Sequence, residues 1–240
     1  MLVRRLLVLG AVLALTLWFF ARSDLWGLRT IEVRGNTALS SEEIIRLSNL
    51  VLGQNLWGID KEAVRENLLR HPRVREVTLR RRLPDTVVLE VQERIPLGVI
   101  PAAGAYWEVD REGRVLGSRP IWAPGDPLLL TGVAVTRAQL VPGNTITLPD
   151  IRPVLAVAEA LPAEVRERIQ EVHLAGAGGV CLYTREGVRV NLGETVDLEK
   201  KIALFWALYG QERENGGLAR LSYIDVSRPK APALGYADPG

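Results

Sequence analysis

Between Arg4-Arg5 and Arg22 the chain carries sixteen uncharged, predominantly apolar residues, Leu6 to Ala21. As a helix this run rises about 24 Å, somewhat short of a hydrocarbon core of about 30 Å. Arginine snorkelling covers the difference, because the long stems lie in the apolar zone while the guanidinium groups reach the headgroups. The pattern predicts a single transmembrane helix over residues 6–22, with Trp18, Phe19, Phe20 and Trp26 as an aromatic belt at one interface. A cleaved signal peptide has the same basic-then-apolar layout, but Trp18-Phe19-Phe20-Ala21 is a poor cleavage site. A buried core helix would not be flanked by arginines on both sides. A short positive N-terminus stays in the cytoplasm, so residues 1–5 are expected there and residues 23–240 outside.

Past Leu28 the pattern changes period. Ile31 and Val33 alternate with Thr30, Glu32 and Arg34, as in a half-buried strand, and Gly35-Asn36 ends it with turn chemistry. Ser40 followed by Glu43 makes a capping box for a helix with Ile44, Leu47 and Val51 on one side. Gly53 closes that region. Asp60 caps a second helix through Val64 and Leu68, stopped by Pro72. Val77 and Leu79, then Val87, Leu89 and Val91, form a hairpin across Leu83-Pro84-Asp85. The order is strand, helix, helix, strand, strand.

After Pro96 come short strands with turns: Leu97–Ile100, Ala105–Asp110, Val115-Leu116 beyond a turn at Arg111-Glu112-Gly113, and Leu128–Thr131. Asp150 opens a helix through Val154, Val157 and Leu161, broken by Pro162. Strands resume at Glu171–Leu174, Val180–Tyr183 and Val188–Leu192. Leu198, Ile202, Phe205 and Tyr209 then mark an amphipathic helix, and Leu221–Val226 follows the break at Gly216-Gly217. The fold class is α+β: a membrane helix, a β-α-α-β-β domain over residues 27–96, and a mixed, strand-rich domain over residues 97–237.

Composition changes this picture little. A net charge of +2 on 240 residues gives no electrostatic footprint for nucleic acid. The basic run Arg80-Arg81-Arg82 has acidic neighbours at Glu76, Asp85 and Glu90 and reads as a solvated strand end. One cysteine, Cys181, excludes an intramolecular disulfide and a Cys-rich zinc site. There are only two histidines. His71 is expected exposed at a helix end, and His173 is expected to face solvent. Cys181 stays open as a partner for His173 across neighbouring strands, without a glycine-rich elbow or third residue to support catalysis. No phosphate loop, metal-ligand run or dinucleotide fingerprint appears. The residues point to no enzyme and no cofactor.

Several strings carry a resemblance. Val33-Arg34-Gly35-Asn36, Gly53-Gln54-Asn55-Leu56, and Leu83-Pro84 leading to Val91-Gln92-Glu93-Arg94-Ile95-Pro96 resemble the POTRA domain of the bacterial cell-division family FtsQ/DivIB. Trp107-Glu108-Val109-Asp110 with Gly113 and Leu116, Gly187 through Gly193 with Lys201 and Leu204, and Tyr223-Ile224-Asp225-Val226 resemble the β domain of the same family. Residue by residue, Gly35, Gly53 and Pro84 read as backbone geometry, and Glu93 with Arg94 as a surface ion pair.

The resemblance implies a division scaffold of the cytoplasmic membrane and septum. Such a scaffold assembles FtsB (DivIC in other bacteria) and FtsL, links them to peptidoglycan synthesis, and docks FtsB by strand addition. The candidate docking residues are Tyr223, Ile224, Asp225, Val226, Ala233, Leu234 and Tyr236. Pro229 and Pro232 each lack an N–H, which makes a continuous docking strand through Arg228–Pro232 doubtful, or guards a sheet edge against aggregation. The alternative is another POTRA protein that handles unfolded polypeptides; that class usually has several repeats and a β-barrel, and neither pattern is present.

Overall fold

The computed structural model describes residues 9–13, 15, 16, 18, 24–123, 125–146 and 151–237. Residues 9–13, 15, 16 and 18 are helical. The remainder of the expected span over 6–22 lies outside the described residues. Among the described residues no helix is long and apolar enough to cross a membrane. The chain divides between Arg94 and Ile95 into two units, each with its own core.

The first unit runs β1 (Thr30–Arg34), α1 (Ser41–Ser48), α2 (Lys61–Leu69), β2 (Val74–Arg82) and β3 (Thr86–Glu93). Its sheet has the order β1-β3-β2. Ile31 lies opposite Val87 and Val33 opposite Leu89 in the parallel pair, while Val77 faces Val91 and Leu79 faces Leu89 in the antiparallel one. The alternating residues therefore share one side, and they pack on Ile44, Leu56, Val64 and Leu68.

Both helices begin where their caps dictate. Ser40 Oγ accepts from the Glu43 N–H at 3.1 Å, and Asp60 Oδ1 accepts from Glu62 and Ala63 at 2.9 and 3.2 Å. Asn49 in the left-handed region (φ 55°) ends α1. Val51, expected on its buried side, consequently lies beyond the helix and is 64% exposed.

Three details of this unit depart from the sequence pattern. Val88, on the otherwise polar side of the sheet, is buried between its register partners Glu32 and Arg80. The Arg80–Arg82 run splits across the sheet. Arg80 and Arg82 pair with Glu90 and Glu32, whereas Arg81 turns inward and donates to the Leu56 and Ile59 carbonyls at 2.7 Å each. Finally, Glu93, expected at the surface as half of an ion pair, accepts from the Thr37, Ala38 and Leu39 N–H groups at 2.8, 2.8 and 3.1 Å and from the Thr37 hydroxyl at 3.2 Å. It clasps the end of β3 to the loop that feeds α1.

The second unit comprises β4 (Gly98–Ala102), β5 (Ala105–Val109), β6 (Val115–Arg119), β7 (Leu128–Thr131), α3 (Ile151–Ala160), α4 (Ala163–Arg166), β8 (Ile169–Leu174), β9 (Val180–Thr184), β10 (Arg189–Gly193), α5 (Leu198–Glu214), β11 (Leu221–Asp225) and β12 (Ala233–Tyr236). All nine strands join one sheet in the order β12-β11-β10-β9-β8-β7-β4-β5-β6. The one-turn helix α4 follows Pro162 and was not anticipated from the pattern; Asp150, expected to open α3, lies outside the described residues.

One side of this sheet presents Ile100, Leu130, Val172, Leu182, Val190 and Ile224 to Val154 and Val157 of α3 and to Ile202, Phe205 and Tyr209 of α5. Helix α3 lies over β8 and β9, and α5 over β10 and β11. The apolar spacing of α5 is thus accounted for by core burial. The β5–β6 turn is closed by Asp110 Oδ1, which accepts from Glu112 and Arg114 at 2.9 Å each.

Candidate functional site

The candidate docking residues fall at one end of the nine-stranded sheet. β11 and β12 form an antiparallel hairpin with Asp225 opposite Ala233, Ile224 opposite Leu234, Tyr223 opposite Gly235 and Leu221 opposite Tyr236. β11 has β10 on its other side, whereas β12 ends the strand order. Its outer side is the margin of the sheet, where backbone N–H and C=O groups face outward.

Pro229 and Pro232 sit in the connection between these strands, which turns through an Ala231 N–H to Arg228 carbonyl bond of 2.9 Å. The uninterrupted strand that they would have damaged does not form, because the chain reverses there. Neither strand of the hairpin contains a proline.

The hairpin sorts the seven candidates into different environments. Ile224 and Val226 are fully buried in the core and cannot present side chains to a partner, because their parity points them toward the helix-covered side. Leu234 packs against the same core. Asp225 accepts from Asn191 Nδ2 at 2.9 Å and from the Ser227 N–H and hydroxyl at 2.9 and 2.6 Å. Burial raises its carboxyl, but the Ser227 and Asn191 hydrogen bonds outweigh that and hold it below the usual range. These bonds tie the end of β11 to β10 and to the Ser227 that follows it.

Tyr223 (40% exposed), Tyr236 (48%) and Ala233 remain accessible. The Tyr223 ring lies on Gly235, where a Cβ would come within 2.0 Å of it. The Tyr236 hydroxyl is hydrogen-bonded to Glu212 of α5, which raises the phenol. Gly235 and Glu212 were absent from the candidates. Parity offers a hint for Gly235, a residue without a side chain inside a terminal strand; nothing local marks Glu212.

The open question of a Cys–His pair has a structural answer. Cys181 does lie opposite His173 in the β8–β9 register. Its Sγ, however, approaches Asn191 Oδ1 at 3.8 Å, and burial pushes the thiol up, against a lowering by Arg189. A buried thiol held protonated is a poor nucleophile. His173 lies on the side of the sheet away from the helices, partly exposed, with Nδ1 2.7 Å from Thr131 Oγ1. His71 is half-buried, its Nδ1 accepting from the Arg73 N–H at 3.4 Å. Among the described residues no group of three or more His, Cys, Asp or Glu could hold a metal ion.

Comparison with known proteins decides the family. Residues 27–94 match the model described as POTRA domain, FtsQ-type, and residues 98–227 match that of Cell division protein FtsQ/DivIB, C-terminal. The chain belongs to the FtsQ/DivIB family of cell division proteins.

Two relatives align along almost their whole length. Cell division protein FtsQ of Myxococcus fulvus is 31% identical over 252 residues, covering 98% of this chain and 86% of the relative. That of Corynebacterium glutamicum is 27% identical over 221 residues, covering 91% and 93%. A solved domain of DivIB from Geobacillus stearothermophilus overlaps 52% of this chain and 98% of its own with a TM-score of 0.36 and 16% identity, too low a likeness to bear on the fold. The FtsQ/DivIB resemblance read from the sequence strings is thereby established, and with it a role in cell division.

Proposed function

We propose that this FtsQ/DivIB-family chain is a non-enzymatic divisome scaffold that captures FtsB/DivIC-like and FtsL-like proteins and couples septum assembly to peptidoglycan synthesis. Residues 1–5 lie in the cytoplasm, residues 6–22 span the cytoplasmic membrane, and the domains at 27–96 and 97–237 work outside it at the division septum. The open margin of β12 carries the reading. An extended partner segment laid along Ala233–Tyr236 satisfies the outward N–H and C=O groups, and Tyr223 and Tyr236 supply exposed aromatic contact area beside it.

Capture of a co-expressed FtsB-like partner by the full chain tests this. Tyr236→Glu, or truncation after Val226, abolishes capture and leaves the thermal transition of the first unit unchanged. Full-strength capture by the truncated chain refutes the docking assignment. Release of the chain from membranes by alkaline carbonate refutes the anchor.

A further inference from the structure

Five large apolar side chains in residues 24–94 are more than half exposed: Leu25 (60%), Val51 (64%), Leu52 (62%), Trp57 (52%) and Leu83 (53%). They come from four separate segments, and the other three meet the one that holds Leu25 at residues 26–30. The Val51–Gln54 turn is bonded to Leu28 twice, through Gly53 N–H at 2.7 Å and Gln54 carbonyl at 2.8 Å. Asn55 bridges to Gly27, and the rings of Trp57 and Trp26 meet edge-to-face at 5.7 Å. The β2–β3 turn that carries Leu83 accepts from Arg29 through the Asp85 carbonyl at 2.8 Å.

None of these side chains belongs to the core, although their segments are tied by backbone and ring contacts to one short stretch of chain; exposed apolar side chains brought together in this way mark an interaction surface. Their position along the chain is informative. Leu25 follows Arg22, which closes the apolar run, by three residues. Three residues span at most about 11 Å, so the patch begins within about the depth of a headgroup layer of that arginine. The Arg81 guanidinium, which donates inward to the Leu56 and Ile59 carbonyls, lies 5.9 Å from the Trp57 ring and fixes that ring at the patch, and an interfacial tryptophan suits a lipid boundary.

We infer that this end of the first unit is seated in the outer headgroup layer of the bilayer, with Val51, Leu52, Trp57 and Leu83 at the acyl boundary. The domain then stands on the membrane in a set orientation instead of swinging from a linker. The inference rests on the anchor at residues 6–22.

The test uses the full chain carrying Cys181→Ser, reconstituted at low density into phosphatidylethanolamine–phosphatidylglycerol vesicles. A single environment-sensitive fluorophore is placed at Leu52→Cys, at Leu83→Cys as an independent position, at Glu42→Cys on the opposite end of α1, or at Val12→Cys in the apolar run. Shallow nitroxide lipids are expected to quench the labels at 52 and 83 severalfold more than the label at 42, with blue-shifted emission. Deep nitroxides are expected to quench the label at 12. Labels at 52 and 83 that behave like the one at 42, with 12 still quenched, overturn the seating and leave the anchor standing. An unquenched label at 12 overturns the anchor and the seating together. Blue-shifted emission at 52 without nitroxide quenching, lost as the protein is diluted in lipid, assigns the patch to a second copy and overturns the lipid assignment.

Discussion

Replacing Glu93 by glutamine isolates a clasp that consists of one carboxylate. Oε1 accepts from Thr37 N–H and Leu39 N–H, and Oε2 from Ala38 N–H and the Thr37 hydroxyl. Glutamine retains one acceptor oxygen, so one of these pairs survives while the other meets an amide NH2. Hydrogen bonds to a charged acceptor contribute about 1.5–3 kcal/mol each when well buried. With the carboxylate half-buried and one pair retained, Glu93→Gln is expected to cost roughly 1–2 kcal/mol, and Glu93→Ala roughly 2–3 kcal/mol. For a unit of this size that lowers the Tm by on the order of 5–10 °C.

Its pH dependence provides a second reading. Burial raises the Glu93 carboxyl, but the Thr37, Ala38 and Leu39 backbone donors with the Thr37 hydroxyl outweigh it, and the folded pKa is lowered. The stabilisation is therefore present above the unfolded value of about 4.3 and is lost as pH falls through the lower folded value. Thermal unfolding of wild-type and Glu93→Gln chains should differ most near neutral pH and converge in acid. Hydrogen exchange should show loss of protection at Thr37, Ala38 and Leu39. Identical exchange at those amides, or a stability gap that does not change with pH, refutes the clasp.

Other perturbations follow from the same geometry. Arg119 donates to Glu108, only 4% exposed, and to Asp126 at 2.6 Å; Arg119→Ala takes the guanidinium from a buried carboxylate and should cost roughly 2–4 kcal/mol in urea unfolding of the second unit. Gly132 has φ +74°, and a Cβ there would lie 2.2 Å from the Leu174 carbonyl oxygen, so Gly132→Ala should cost at least about 2 kcal/mol by the same measurement. Cys181→Ala should leave division-complementing activity intact, and the native thiol should react with maleimide near neutral pH far more slowly than an exposed cysteine. Loss of activity in a folded Cys181→Ala chain would contradict the scaffold reading.

Local chemistry was legible wherever neighbours in sequence are neighbours in space. Ser40 and Asp60 announce their helices because a side-chain cap acts on N–H groups two or three residues away, and the alternation in β2 and β3 announces the hairpin because the turn sets its register. Leu198, Ile202, Phe205 and Tyr209 declare a buried helix face by spacing alone. The family strings added the division role, since they lie in order along almost the whole chain.

Tertiary structure decided whatever depends on distant pairing. Periodicity cannot place β7 between β4 and β8, so it could not show β12 at the margin of nine strands. Nor could it divide Tyr223 and Tyr236 at the surface from Ile224 and Val226 in the core, because that division depends on which side α5 covers. Glu93 looked like a surface charge until a loop more than fifty residues earlier supplied its donors. Val51 looked like the end of a helix until Leu28 tied its turn to the segment next to the apolar run. A sequence specifies parity and caps through interactions a few residues long; which edges remain open, and which apolar tips remain uncovered, is settled only when separate segments close on one another.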